Sequence, residues 1–171
     1  MSPIPFIDLR RQYRALKPAL ERAMRRVLES GQFILGPEVA ALEREMAAYC
    51  QTRTAVAVAS GTDALELSLR ACGVGPGDEV MTTAYSFVAT AEAIVAVGAR
   101  PVFVDIDPTT YGLDPSLVEG EITRRTKAIV PVHLYGHPCA MEAIMRIARR
   151  RRLVVVEDCA QAIGARYRGQ R

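Results

Sequence analysis

The chain has 171 residues, half of them hydrophobic and 24% charged, with a formal net charge of +3. That apolar content at that length supports one packed domain and excludes a disordered tail, a collagen-like repeat or a disulfide-stapled mini-fold. The balance of 22 Lys and Arg against 19 Asp and Glu is too even to mark a nucleic-acid partner, and no run reaches the roughly 18 apolar residues of a membrane helix, so no membrane partner is expected either. Cys50, Cys72, Cys139 and Cys159 are widely spaced, which suits free thiols in the cytoplasm, and the N-terminus lacks the cationic and apolar stretches of a cleaved leader. Lys17 and Lys127 are the only lysines.

From Leu9 to Glu29, apolar residues recur at helical spacing with arginines opposite, which predicts an amphipathic helix. Gln32-Phe33-Ile34-Leu35 is a short apolar link, and Pro37 suits the first turn of a second helix running to about Tyr49. From Ala55 onward, apolar runs alternate with helical segments. The runs are 55–59, 79–83, 101–105, 128–132 and 153–156, and the helices between them are expected at about 62–72, 87–97, 115–122 and 138–151. Asp114 reads as an N-cap with Pro115 in the first turn, and Pro138 as another helix start. The alternation predicts an α/β fold, a mainly parallel sheet with flanking helices.

Ligands of open parallel sheets collect beyond the carboxyl ends of the strands. After the first run comes Ser60-Gly61-Thr62, a small turn opening a helix, which suits either a phosphate at free N–H groups or an ordinary helix cap. After the second comes Phe87, which could stack on a planar ligand or pack in the core. After the fourth, His133, His137 and Cys139 suggest zinc, but Gly136 and Pro138 break any helix that would align them and a fourth ligand is lacking, so no metal is expected. After the fifth, Glu157-Asp158-Cys159-Ala160-Gln161 puts a carboxylate at the end of a buried strand, where it needs a partner. That partner could be a protonated ring nitrogen, a helix N-terminus or an arginine. Gly73-Val74-Gly75-Pro76-Gly77 precedes a strand and contains a proline, so it reads as a turn and not as a dinucleotide loop. Arg149–Arg152 reads as the solvated end of a helix.

Taken together and in order, FIDLRRQY, GQFILGPEVAALE, SGT, GPGDEV, Phe87, PVFVDID, PVHLYGHP and EDCAQA resemble the DegT/StrS-type family of pyridoxal-phosphate-dependent sugar aminotransferases, over residues 6–171. The resemblance implies the aspartate-aminotransferase-like fold, with a helical segment over 1–52 and an incomplete cofactor-binding large domain over 53–171. It implies that Gly61 and Thr62 bind the phosphate of pyridoxal 5'-phosphate, that Phe87 stacks on the ring, that Asp158 pairs with the protonated ring nitrogen and that Gln161 lies near the ring hydroxyl.

In the family the Schiff-base lysine lies downstream of the EDCAQA motif, and neither Lys17 nor Lys127 matches it, so no catalytic residue is assigned within this chain. The chain is therefore expected to be the N-terminal part of a longer protein, with the first strand left without its neighbours. The resemblance implies transfer of an amino group from an amino-acid donor, with glutamate the expected one, to a keto-sugar nucleotide, in a homodimer. Dehydration, a non-sugar substrate, or a non-catalytic remnant are the alternatives.

Overall fold

The computed structural model describes residues 5–171, in two compact units that divide after Ala57. The first unit holds α1 (Leu9–Ser30) and α2 (Pro37–Cys50). Asp8 caps α1 by accepting the Arg11 N–H at 3.0 Å, and Gly31 ends it in the left-handed conformation. Pro37 takes the first turn of α2 as expected. No residue of α1 is buried, and Leu9, Tyr13, Leu16, Leu20, Met24 and Leu28 form an exposed apolar stripe along it. Among the described residues no helix is long and apolar enough to cross a membrane.

The second unit contains α3 (Gly61–Ala71), β1 (Glu79–Thr82), α4 (Ala89–Ala96), β2 (Arg100–Phe103), α5 (Pro115–Val118), β3 (Thr126–Ile129), α6 (Met141–Arg151) and β4 (Val154–Val155). All strand pairs are parallel, in the order β2-β1-β3-β4. Successive residues of a strand face opposite sides, and the core divides accordingly. Val80 and Ala128 pack with Leu65 and Leu69 of α3 and Ala93 and Ile94 of α4. Met81 and Ile129, one residue on, pack with Val118 of α5 and Ile144 and Ile147 of α6. Three layers result, and every strand presents its carboxyl end to the same edge.

Three sequence expectations are corrected. The run 55–59, expected as a strand left without its neighbours, joins no ladder among the described residues and so is no strand: Val56 and Val58 are exposed, and an apolar run becomes a strand only where a neighbour takes up its N–H and C=O groups. Lys127 lies inside β3 and does not precede it, with its side chain exposed. Pro138 does not open α6, which starts at Met141, because Cys139 donates its N–H to His133 Nδ1 and its thiol to the Val132 carbonyl, holding the chain out of helix there.

The turn over residues 73–77 has a structural use. Gly98 follows α4 at φ +82°, and a Cβ there would stand 2.9 Å from Pro76 Cγ. Gly98→Ala is therefore expected to lower stability by more than about 1 kcal/mol, read from the midpoint of urea unfolding.

Candidate cofactor site

Each strand delivers its following residues to the carboxyl edge. After β4, an isolated parallel bridge joins Val132 and Asp158, in which His133 N–H donates to the Asp158 carbonyl at 3.1 Å and Asp158 N–H to the Pro131 carbonyl at 2.9 Å. This pins the buried Asp158 side chain at the edge. Its Oδ2 accepts the Thr90 hydroxyl at 2.8 Å and its Oδ1 the Ala160 N–H at 3.1 Å. Thr90 sits in the first turn of α4, and its hydroxyl also meets Ser86 Oγ at 3.1 Å. Neither structural alternative for Asp158 holds, since no helix follows it and no arginine pairs with it among the described residues. The carboxylate thus has two neutral donors and no cation.

Phe87, three residues before Thr90, is 75% exposed and so lies outside the core formed by the described residues. Gln161 Oε1 accepts the Tyr135 N–H at 2.8 Å, leaving its amide nitrogen to donate elsewhere. Ser60 does cap α3, accepting the Asp63 N–H on its side chain and the Ala64 N–H on its carbonyl. The Gly61 and Thr62 N–H groups are left without a protein acceptor among the described residues, beside open space at Gly61. Cap and anion site are therefore compatible. The hydrogen bonds unite the start of α4 with Asp158, and Gln161 with Tyr135. They do not join Gly61 and Thr62 to this network, although α3 packs beside α4 in one layer.

Sequence reasoning missed Thr90 and the His133–Glu157 pair. A hydroxyl three residues beyond an aromatic, in a helix's first turn after a strand, was the available signal for Thr90. His133 Nε2 lies 2.8 Å from Glu157 Oε2, and the ligand atoms of His133, Glu157 and Cys159 all lie within 4.8 Å of one another. The Cys139 N–H donates into His133 Nδ1 at 3.1 Å, which places the ring proton on Nε2, facing Glu157. That nitrogen then has no lone pair for a metal, and the cluster reads as a hydrogen-bonded brace. Thr90→Val, which keeps shape and deletes the hydroxyl, is expected to weaken binding of a cationic ring at Asp158 by roughly tenfold, by titration.

These features give a parallel-sheet domain two N–H groups without a protein acceptor, an exposed aromatic ring and a carboxylate with no cation among the described residues, a set whose chemistry fits the phosphate, ring and ring nitrogen of pyridoxal phosphate. The chain belongs to the DegT/DnrJ/EryC1/StrS aminotransferase family, whose profile matches residues 15–171. It is 51% identical over 168 residues to the dTDP-3-amino-3,4,6-trideoxy-alpha-D-glucose transaminase of Streptomyces venezuelae, covering 98% of this chain and 44% of that protein. It is 53% identical over 167 residues to a "Pleiotropic regulatory protein" of Geobacillus stearothermophilus, covering 98% of this chain and 45% of that one. Among solved structures, DesV of S. venezuelae superimposes with a TM-score of 0.98 at 50% identity, over 100% of this chain and 46% of that one. The Bacillus subtilis protein NtdA, solved with bound cofactor PMP, superimposes at 0.92 with 41% identity, over 96% of this chain and 38% of that one. The chain thus spans about half the length of the relatives it matches.

Proposed function

We propose that this chain is the N-terminal part of a cytoplasmic, homodimeric aminotransferase that moves an amino group from glutamate to a keto-sugar nucleotide with pyridoxal phosphate as cofactor. The observation that carries the reading is Asp158, a buried carboxylate at the carboxyl edge of a parallel sheet with two neutral donors and, among the described residues, no cation. A buried charge needs a partner, and a protonated ring nitrogen supplies one. Names of relatives printed as nucleotide-sugar transaminases support the substrate class, and the exposed apolar stripe of α1 supports a dimer.

The bound cofactor supplies an electron sink for carbon–nitrogen chemistry at the substrate. The residues of this chain hold it in place. Gly61 and Thr62 offer free N–H groups at the positive end of α3 for the phosphate, and Phe87 would stack on the ring. Asp158, oriented by Thr90 and Ala160, would keep a proton on the ring nitrogen, and the Gln161 amide nitrogen, left over from the bond its Oε1 accepts from Tyr135, would be available to the ring hydroxyl.

Incubating the full-length protein with pyridoxal phosphate, glutamate and a keto-sugar nucleotide should yield 2-oxoglutarate and an amino sugar, both detectable by mass spectrometry. A full-length protein that binds the cofactor yet forms neither product sinks the reading. A regulatory role, suggested by the name of the Geobacillus relative, instead predicts no absorbance change on adding pyridoxal phosphate.

A further inference from the structure

Three tyrosines from three different loops meet at the carboxyl edge. Tyr85 follows β1, Tyr111 follows β2 and Tyr135 follows β3. The Tyr85 and Tyr111 ring centroids are 5.9 Å apart at 31°, and those of Tyr111 and Tyr135 are 6.3 Å apart at 84°. The Tyr85 and Tyr135 hydroxyls lie 3.3 Å apart, an interaction that pushes the Tyr85 phenol above its ordinary pKa. All three are nonetheless exposed. Among the described residues the rings lie outside the core and present aromatic faces and two hydroxyls.

The backbone beneath them is unusual. Tyr111 has φ +58° and Tyr135 φ +56°, a left-handed conformation that bulky residues rarely adopt. Each is fastened there. Tyr111 N–H donates to the Asp107 carbonyl, whose residue closes the loop by donating its own N–H to the Gly112 carbonyl at 2.9 Å. Tyr135 N–H is taken by Gln161, and Tyr85 N–H by the Thr83 hydroxyl at 3.1 Å. A bulky residue held in this conformation by several bonds has its ring direction fixed, which suits a preformed contact surface.

We propose that Tyr85, Tyr111 and Tyr135 form the subsite for the hexose ring of the nucleotide-sugar substrate, an inference that rests on the function proposed above. Gln161 ties Tyr135 to the cofactor site, so the cluster lies next to the place of reaction. The carbon that exchanges its oxygen for nitrogen belongs to the hexose itself, and the nucleotide lies a diphosphate farther away. The amino-acid donor reaches the same place, but its carboxylates call for cationic partners that three tyrosines do not supply, whereas a hexose offers hydroxyls and C–H faces. Aromatic faces suit the C–H faces of a pyranose, and the paired hydroxyls can donate to and accept from its hydroxyl groups.

The test is calorimetric titration of the full-length holoenzyme with UDP-N-acetylglucosamine and dTDP-glucose, each against its free nucleoside diphosphate. Tyr111→Ala and Tyr135→Ala are expected to weaken nucleotide-sugar binding by roughly tenfold and leave UDP and dTDP within about twofold. The double variant Tyr85→Phe with Tyr135→Phe keeps the rings, guards against misfolding, and should lose about threefold for the sugar nucleotides alone. Equal losses for nucleotide and nucleotide sugar, or no loss for either, overturn the subsite. A wild-type holoenzyme that binds neither sugar nucleotide overturns the substrate reading itself.

Discussion

Asp158→Asn in the full-length protein is expected to reduce the rate of amino transfer by roughly 10²–10³-fold and the affinity for pyridoxal phosphate by roughly tenfold or more. The substitution isolates charge. An asparagine Oδ1 can still accept the Ala160 N–H, and its NH₂ can donate to the Thr90 hydroxyl, which turns to donate to Ser86. The local network survives, so thermal stability without cofactor should change little. On the proposed reading, what is lost is the anion that would keep a proton on the ring nitrogen of the bound cofactor, whose electron-withdrawing chemistry depends on it. Steady-state rates, a cofactor titration followed by absorbance, and a melting curve of the apo-protein check the three parts. An unchanged rate with an unchanged melting curve would remove Asp158 from the site.

The parts of this architecture that were legible in the sequence are those fixed by local pattern. The runs that became β1 to β4 are apolar on both faces because helices cover both, and that texture survives without knowledge of the partners. Asp114-Pro115 capped α5 as expected because a cap is settled within four residues. What failed to show depends on pairing across the fold. The run 55–59 has the same texture as the others, but strandhood needs a neighbour and the described residues supply none.

The site divides in the same way. Asp158 stood out because a carboxylate after a buried strand is costly. Thr90, 68 positions away, donates the hydrogen bond that orients it, and its place in a helix's first turn after a strand signals a hydroxyl at the edge but not which carboxylate it meets. The brace at His133 was likewise hidden, since the tempting spacing was to His137 and Cys139 whereas the ring's carboxylate partner is Glu157, 24 positions on.

The largest effect on stability is expected at the opposite edge of the sheet, at Glu79. It is 1% exposed, at the amino end of the central strand β1, in register with Arg100 of β2 and Thr126 of β3. Its carboxylate accepts from Arg100 at 2.6 Å, from Thr123 at 2.6 Å and from Arg125 Nε at 2.9 Å, so one side chain ties the starts of three strands together. The Arg100 and Thr123 hydrogen bonds, with the two guanidinium charges, outweigh burial and hold its pKa at about 2, below the ordinary 4.5. Because the folded value is depressed, the unfolded chain binds the proton more readily. The stabilisation is complete above pH 4.5 and is lost as pH falls through that value towards about 2. Glu79→Gln keeps the shape but leaves two guanidinium groups facing a neutral amide, and should lower the Tm at pH 7 by roughly 10 °C. Melting curves of wild type and variant should converge on acidification, since protonated Glu79 and glutamine are alike in charge. A Tm difference that stays constant from pH 7 down to the acid limb would mean that Glu79 acts through packing, and that the two arginines contribute nothing through their charge.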